Sequence, residues 1–327
     1  MKRLGITTVL AAVLSIGNLA ARTFVFNPDL KIGFDAGTTG IGFTVESRIN
    51  DMLGVRTGFN WIPHFEMPLY FHMDVGDDKN PVYENGRSRF DLMAEKLEEM
   101  TGFKIDQKVK MIGEPHMYNF KLLIDIYPLE DKRWYFTTGF YAGPSVIGRA
   151  RNCTEDMTKL IAAALYNNIY DNVYDTEFND DGEPHGVIMG IELSKEITDK
   201  IFEYGRMGMH VGDYKNRTDQ NGNPIRYTMG PGADNMIKAE MRVNSFKPYL
   251  GVGFNGQLDK NNDRFNIIFD CGIMFWGGHP RVYTHDGTEI VDDLININGQ
   301  IRHYVDYVRP FEVFPVLNLS LAYRLFK

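Results

Sequence analysis

The feature that most constrains this chain is an alternation of apolar and polar residues that recurs in eight separate segments. In the last segment, Leu317, Leu319 and Leu321 alternate with Asn318 and Ser320. Successive side chains of a β-strand point to opposite faces, so this period of two predicts a strand with one apolar face and one polar face. We therefore predict an all-β fold. The predicted strands span residues 30–36, 41–49, 53–62, 118–126, 134–143, 245–254, 264–275 and 315–327.

The chain begins with the layout of a secretory signal peptide. A basic start, Met1-Lys2-Arg3, is followed by an apolar run from Leu4 to Leu14 and by small residues ending near Ala20-Ala21. The apolar run is too short to cross a bilayer as a helix. We predict a cleaved signal peptide at residues 1–21 and a single domain at 22–327, with an amphipathic N-terminal helix as the alternative.

The connections between the predicted strands alternate in length. The turns near Asn50, Leu129 and Leu258 are short, whereas the connections at about 63–110, 147–239 and 277–310 are long. No run of 18 or more apolar residues follows the signal, so any membrane crossing must use strands, and only a closed barrel satisfies their edges. We predict an up-and-down antiparallel transmembrane β-barrel of eight strands, or ten if a loop hairpin joins the wall. Short periplasmic turns and long outer loops are typical of such barrels.

The long loops also carry secondary-structure signals. Phe90, Met93 and Leu97 fall at helical spacing within residues 88–101, and a second apolar stripe lies within 157–169. A hairpin is predicted where 209–214 and 224–228 flank a turn sequence at 220–223. We therefore expect long, partly helical outer loops.

The alternation, the loop lengths and the aromatic C-terminal strand resemble those of small bacterial outer-membrane β-barrel proteins, such as the transmembrane domain of outer-membrane protein A. Two stretches, Asn119-Phe-Lys-Leu-Leu-Ile-Asp-Ile-Tyr-Pro128 and Phe246-Lys-Pro-Tyr-Leu-Gly-Val-Gly-Phe254, also resemble a largely uncharacterised family of barrels from Gram-negative bacteria. The resemblance implies location in the outer membrane of a Gram-negative bacterium. It also implies contact with outer-membrane lipid and with the barrel-assembly machinery.

The polar faces of the predicted strands would point into the barrel, and their charged residues are the candidate site. An eight-stranded barrel is just wide enough to be filled by side chains, so we predict a paired charge network. A gated pore or proton path is the alternative. The candidate residues are Lys31, Asp35, Glu46, Arg48, Arg56, Lys121, Asp125, Lys247, Arg264, Asp270 and Arg324.

Other chemistry has weaker signals. His72 with Asp74, and His210 with Asp213, are pairs near strand ends in which the histidine could act as a general base, so a hydrolase-like surface enzyme remains an alternative. The stretch Asp259–Asp263 begins like a calcium loop but lacks the glycine at the sixth position, which favours a polar turn. We predict no metal and no cofactor.

Charge and composition limit the partners. The formal net charge is −8, which argues against nucleic acid, because phosphate contacts need basic patches. Cys153 and Cys271 are the only cysteines, and we expect no disulfide framework. The sequence favours a structural or interaction role in which the barrel presents acidic loops to an unknown surface or envelope partner.

Overall fold

A computed structural model describes residues 29–76, 86–179, 187–188, 191–218, 222–259 and 262–325. The predicted signal peptide at 1–21, the turn sequence at 220–221 and the last two residues of the predicted C-terminal strand lie outside the described residues.

The strands and helices of the described residues are as follows. The strands are β1 (Leu30–Gly37), β2 (Gly40–Arg48), β3 (Leu53–Trp61), β4 (Met67–His72), β5 (Asp74–Val75), β6 (Lys108–Pro115), β7 (Tyr118–Ile126), β8 (Trp134–Ala142), β9 (Val146–Asn152), β10 (Val187–Ile188), β11 (Ile191–Glu192), β12 (Met207–Thr218), β13 (Pro224–Met229), β14 (Lys238–Arg242), β15 (Phe246–Asp259), β16 (Asn262–Phe275), β17 (Arg281–Thr284), β18 (Leu294–Ile295) and β19 (Val313–Arg324). The helices are α1 (Arg89–Thr101), α2 (Met157–Asn179), α3 (Lys195–Tyr204) and α4 (Gly299–Val308).

Eight strands close into an antiparallel barrel in the order β1-β19-β16-β15-β8-β7-β3-β2. β1 pairs with β2 from Leu30 opposite Ser47 to Gly37 opposite Gly40, and β1 also pairs with β19 to complete the ring. These strands are the eight segments in which the sequence alternates, so the predicted eight-stranded barrel is confirmed. The ten-stranded alternative does not hold, because the predicted hairpin, β12 with β13, belongs to a separate sheet.

The outer face of the barrel is apolar. Phe34, Phe136 and Leu319 point outward and are 57%, 58% and 54% exposed. A continuous apolar surface of this kind is not left facing water in a soluble protein, and it matches the lipid-facing band of a membrane barrel. The barrel is therefore membrane-spanning. We call the side with the short connections at 49–52 and 127–133 the turn end, and the opposite side the loop end.

Five of the eight strands of the barrel wall continue beyond the loop end as a second sheet. This sheet has the strand order β17-β14-β9-β6-β4. Each of its strands lies next to one barrel strand along the chain: β17 next to β16, β14 to β15, β9 to β8, β6 to β7 and β4 to β3. The link from β6 to β7 is only the two residues His116 and Met117. The two sheets therefore share one strand order, and the outer sheet is an extension of five wall strands.

The predicted long loops fold together on this extension into one unit, which we call the outer module (described residues within 63–117, 143–245 and 276–312). A sheet of β13, β12 and β18, to which β5 adds, lies in it with the four helices. Val109, Leu160, Met207 and Val211 are 0% exposed in its hydrophobic core. The loops thus have a core of their own, which the sequence analysis did not predict.

The predicted helix at 88–101 is confirmed as α1. Ser88 caps it by accepting from the backbone N–H of Asp91, whose carboxylate accepts in return from the Ser88 backbone. Phe90 and Leu97 are buried in the core. Among the helices in the described residues, none is both long and apolar enough to cross a membrane.

Cys271 tests which face of the barrel meets lipid. It is exposed on the outer face, opposite Leu317 and Val252 in the neighbouring strands, whereas Cys153 is buried. In a Cys153→Ser variant reconstituted into vesicles, we expect a lipophilic pyrene maleimide to label Cys271, and spin-labelled lipid to quench the pyrene fluorescence. A charged, membrane-impermeant maleimide should not label it.

The control for this labelling is a Glu99→Cys variant in a background lacking both native cysteines. Glu99 is exposed on α1, so the charged maleimide should label this variant rapidly. Equal labelling of Cys271 by the charged reagent would contradict a lipid-facing position.

Candidate functional site

The inward face of the barrel carries a balanced set of buried charges. Strand alternation that sends leucines and phenylalanines outward sends polar residues inward. Eight of the eleven predicted residues are at most 4% exposed, four of them basic and four acidic. They are Lys31, Asp35, Glu46, Arg56, Lys121, Asp125, Lys247 and Asp270.

Arg56 is the centre of the largest ion cluster. Its Nη1 and Nη2 donate to the two carboxylate oxygens of Asp270 at 2.7 and 2.9 Å. Nη2 also donates to Asp125 Oδ1 at 2.9 Å, and Nε lies 2.6 Å from Asp125 Oδ2. Thr137 and Tyr135 donate to Asp125 and Asp270 at 2.7 and 2.8 Å. Two carboxylates therefore surround one guanidinium, with hydroxyl groups from β8 completing their hydrogen bonds.

A second cluster is centred on Asp35. Its carboxylate accepts from the Lys121 ammonium and the Ser320 hydroxyl, both at 2.5 Å, and from the Thr44 hydroxyl. These four residues come from β1, β7, β19 and β2. Lys121 crosses the lumen to reach Asp35, since two strands separate β7 from β1 around the ring. The cluster therefore joins two sides of the barrel.

The charges towards the turn end range from fully buried to partly exposed. Lys31 donates to Glu46 at 3.2 Å inside the barrel, and Arg324 Nε lies 2.8 Å from Asp29, with the Arg324 side chain 25% exposed. Arg48 is half-buried, and its guanidinium lies 4.3 Å from the ring centroid of Tyr127. These pairs lie around the rim of the turn end.

Arg264 is placed differently from the prediction. It is exposed, and its Nη1 donates to the hydroxyl of Tyr323 at 3.1 Å. It has the inward parity of β16, but it lies at the turn end, where the strand passes beyond the closed interior. Parity alone therefore does not place a residue in the lumen when the strand extends past the barrel rim.

Apolar side chains fill the loop end of the lumen. We call this cluster the apolar plug; Met274 and Val316 in it are 0% exposed. Lys247, also 0% exposed, lies at this end and donates to Asn119 Oδ1 at 3.1 Å. The plug therefore lies between the outer module and the Arg56 and Asp35 clusters, and Lys247 lies beside the plug. Its members are Leu123, Tyr141, Tyr249, Met274, Trp276 and Val316.

Removing Arg56 tests the energetic role of the network. Arg56→Gln leaves Asp125 and Asp270 buried without their cation, so we expect a loss of about 3–5 kcal/mol in the free energy of unfolding. Urea unfolding in lipid vesicles, followed by tryptophan fluorescence, measures this loss. Arg264→Gln, at the exposed rim, should change the value by less than about 1 kcal/mol.

A compensated variant separates charge from packing in the same measurement. Arg56→Met with Asp125→Asn and Asp270→Asn removes all three charges together, and we expect it to recover most of the lost stability. Equal stability of wild type and Arg56→Gln would show that the cluster does not hold the barrel together.

The two predicted His/Asp pairs both lie in the outer module. His210 Nε2 is 3.8 Å from Asp213 Oδ1, too long for a hydrogen bond. Burial, together with the positive charge of Arg226, lowers the pKa of His210 below its usual value. His72 is exposed, and Asp74 accepts from Gln107 Nε2 at 2.8 Å. β5, which contains Asp74, pairs with β12, which contains His210 and Asp213, and Asp74 lies opposite Gly208. The two His/Asp pairs therefore lie in the same part of the outer module.

One group of described residues brings close together three side chains of the types that bind metal ions. His64, Glu66 and Glu114 bring one ligand atom each within 4.8 Å of one another near the loop end of the barrel. Arg151 donates to Glu114 at 2.9 Å, and His64 and Glu66 are exposed. The group is therefore an ordinary exposed ion-pair cluster. The predicted polar turn at Asp259–Asp263 includes residues outside the described ranges.

A cleft of about 890 Å³ opens in the outer module. Distant parts of the chain line it, among them Arg89, Asp171, Arg206, Tyr214 and Asp286. A second cavity of about 340 Å³ adjoins it and shares Tyr214 and Asp286. Sequence reasoning missed these residues because no local motif marks a site that seven separate segments build together.

Comparisons with known proteins add little to this geometry. No protein-family profile and no curated protein sequence matches this chain. Among solved structures, it is similar to Acinetobacter baumannii CarO2 with 14% identity and a TM-score of 0.36, over 90% of this chain and 97% of that chain. Its similarity to Acinetobacter baumannii CarO has 13% identity and a TM-score of 0.37, over 91% of this chain and 98% of that chain. Its similarity to a major outer membrane protein from Thermus thermophilus has 13% identity and a TM-score of 0.27, over 90% of this chain and 97% of that chain. At these TM-scores, the assignment as a small membrane barrel rests on the closed sheet and its apolar exterior.

Proposed function

We propose that this protein is an integral outer-membrane barrel that does not conduct and that anchors a folded binding module at the cell surface. The observation that carries this proposal is the closed interior. Buried ion clusters cross the lumen between opposite strands, and the apolar plug lies between them and the outer module. A barrel of eight strands leaves no room for an aqueous channel beside such side chains.

The way in which the outer module joins the barrel supports an anchoring role. Five wall strands continue into the outer sheet in unchanged order, with links as short as His116-Met117. Strands that continue in this way hold the module in a defined position relative to the membrane. A fixed, folded surface with its own cleft favours binding of a surface or envelope partner over a purely structural role.

The two alternatives have less support. A narrow gated pore would need the Arg56 cluster to open, which would separate two buried carboxylates from their cation. A surface hydrolase would need the imidazole of His210 to engage a carboxylate, but the nearest Asp213 oxygen lies at 3.8 Å.

Planar-bilayer recordings test the closed barrel. We expect no stepwise conductance from the purified wild-type protein under conditions in which a general porin gives clear steps. Conductance steps that disappear in Arg56→Gln would contradict the proposal and would favour a narrow pore through the charge network.

Cysteine labelling on intact cells tests the orientation. A Glu99→Cys variant in α1 should react with an impermeant maleimide, because the outer module faces the exterior in this proposal. A Glu130→Cys variant in the exposed turn between β7 and β8 should react only after the outer membrane is permeabilised. The reverse pattern would place the module in the periplasm.

A further inference from the structure

We infer that the cleft of the outer module is a binding site for a neutral oligosaccharide. The inference deepens the proposed function, on which it rests, by naming the ligand class of the presented surface. Three properties of the cleft carry it: balanced and paired charges, tyrosine rings in the wall, and continuation into a second cavity.

The charges that line the cleft are balanced, and four of the six ionised side chains form two ion pairs. The lining contains three arginines and three carboxylates. Arg206 donates to Asp171 at 2.6 Å, and Arg89 lies 3.7 Å from Glu203. Arg226 donates to the carbonyl of Gly76 at 2.6 Å. A multiply charged ligand would have to break these pairs, whereas hydroxyl groups can donate to the carboxylates and accept from the guanidinium groups at once.

Tyrosine rings supply the apolar part of the wall. Tyr170 and Tyr214 are half-buried lining residues. The Tyr214 ring is held in place by Tyr227 edge-on at 5.2 Å and by the Arg217 guanidinium at 4.2 Å. A pyranose ring combines an apolar C–H face with a rim of hydroxyl groups, and tyrosine offers the matching apolar face with a polar end. A rigid ring beside paired polar groups suits that ligand.

The two adjoining cavities indicate an elongated ligand. Tyr214 and Asp286 belong to the walls of both. The oxygens of Asp286 accept from the hydroxyls of Tyr227 at 2.7 Å and Thr284 at 2.6 Å, which fixes this carboxylate at the junction. A chain of several sugar units can occupy both cavities and pass over the junction, whereas a single compact molecule fills only one.

Other ligand classes fit less well. The balanced charge and the net charge of −8 disfavour nucleic acid. A lipid chain needs an apolar lining, and here ionised side chains and amides line much of the wall. The hydroxyl groups that already bind Asp286 make it a poor ligand for a metal ion.

Isothermal titration calorimetry on the full chain tests the inference. The protein should be held in an amine-oxide detergent, because the headgroups of glucoside or maltoside detergents would compete. The probes are maltohexaose, cellohexaose, chitohexaose and the acidic hexagalacturonate. We expect at least one neutral hexamer to bind with a Kd below about 1 mM, and hexagalacturonate to bind about tenfold more weakly or not at all.

Three variants locate the binding. Tyr214→Ala should weaken it about tenfold or more by removing the ring at the junction. Ile225→Trp should also weaken it, because Ile225 lines the cleft and is 42% exposed, so a larger ring there obstructs the site without entering the core. Tyr307→Ala is the control, since Tyr307 is 74% exposed and does not line the cleft. It should leave the Kd unchanged.

The outcomes separate this inference from the proposed function. If no neutral hexamer binds, if hexagalacturonate binds more tightly than the neutral probes, or if binding survives both Tyr214→Ala and Ile225→Trp, the inference is overturned, whatever the bilayer recordings show. Neutral-hexamer binding lost in Ile225→Trp and retained in Tyr307→Ala supports the cleft, even if the barrel conducts and the anchoring proposal fails.

Discussion

The guanidinium of Arg56 links strands on opposite sides of the barrel. It extends from β3 to Asp270 on β16, which lies four strands away in either direction around the ring, and it also contacts Asp125 on β7. Charges with so little exposure are stable only when they are paired. The pairs depend on closure of the sheet, because an open sheet would leave Asp270 far from Arg56, and the closed sheet in turn is destabilised when one partner is removed and the other stays buried without it.

The same interior explains the position of the outer module. The ion clusters occupy the middle of the lumen, and the apolar plug fills the loop end, where the wall strands leave the membrane. Met117, in the link between β6 and β7, and Ile147, near the start of β9, pack against the plug. The plug thus belongs to both parts of the molecule, and the module is built on packed side chains rather than suspended on loose loops.

The polar cleft lies in the outer module and is lined by residues outside the barrel strands. Its paired charges contrast with those of the lumen: both sets are balanced, but the lumen pairs are closed to solvent, while those of the cleft line an open surface. Closed pairs stabilise a fold, and open ones can exchange part of their hydrogen bonding with a ligand. This difference in exposure is why binding is placed in the cleft and anchoring in the barrel.

The sequence by itself determined the eight wall strands, the inward placement of residues such as Asp35 and Lys121, and the helix α1, because a period of two or of 3.6 is a local property of the chain. It did not predict that β4, β6, β9, β14 and β17 would pair as one sheet, that Arg264 would lie outside the interior, or that Arg206 and Tyr214 would line the same cleft. Those outcomes depend on pairing between residues far apart in the chain and on where each strand ends relative to the rim. Only the closed tertiary structure sets these relations, since no local pattern encodes the distance between two distant segments.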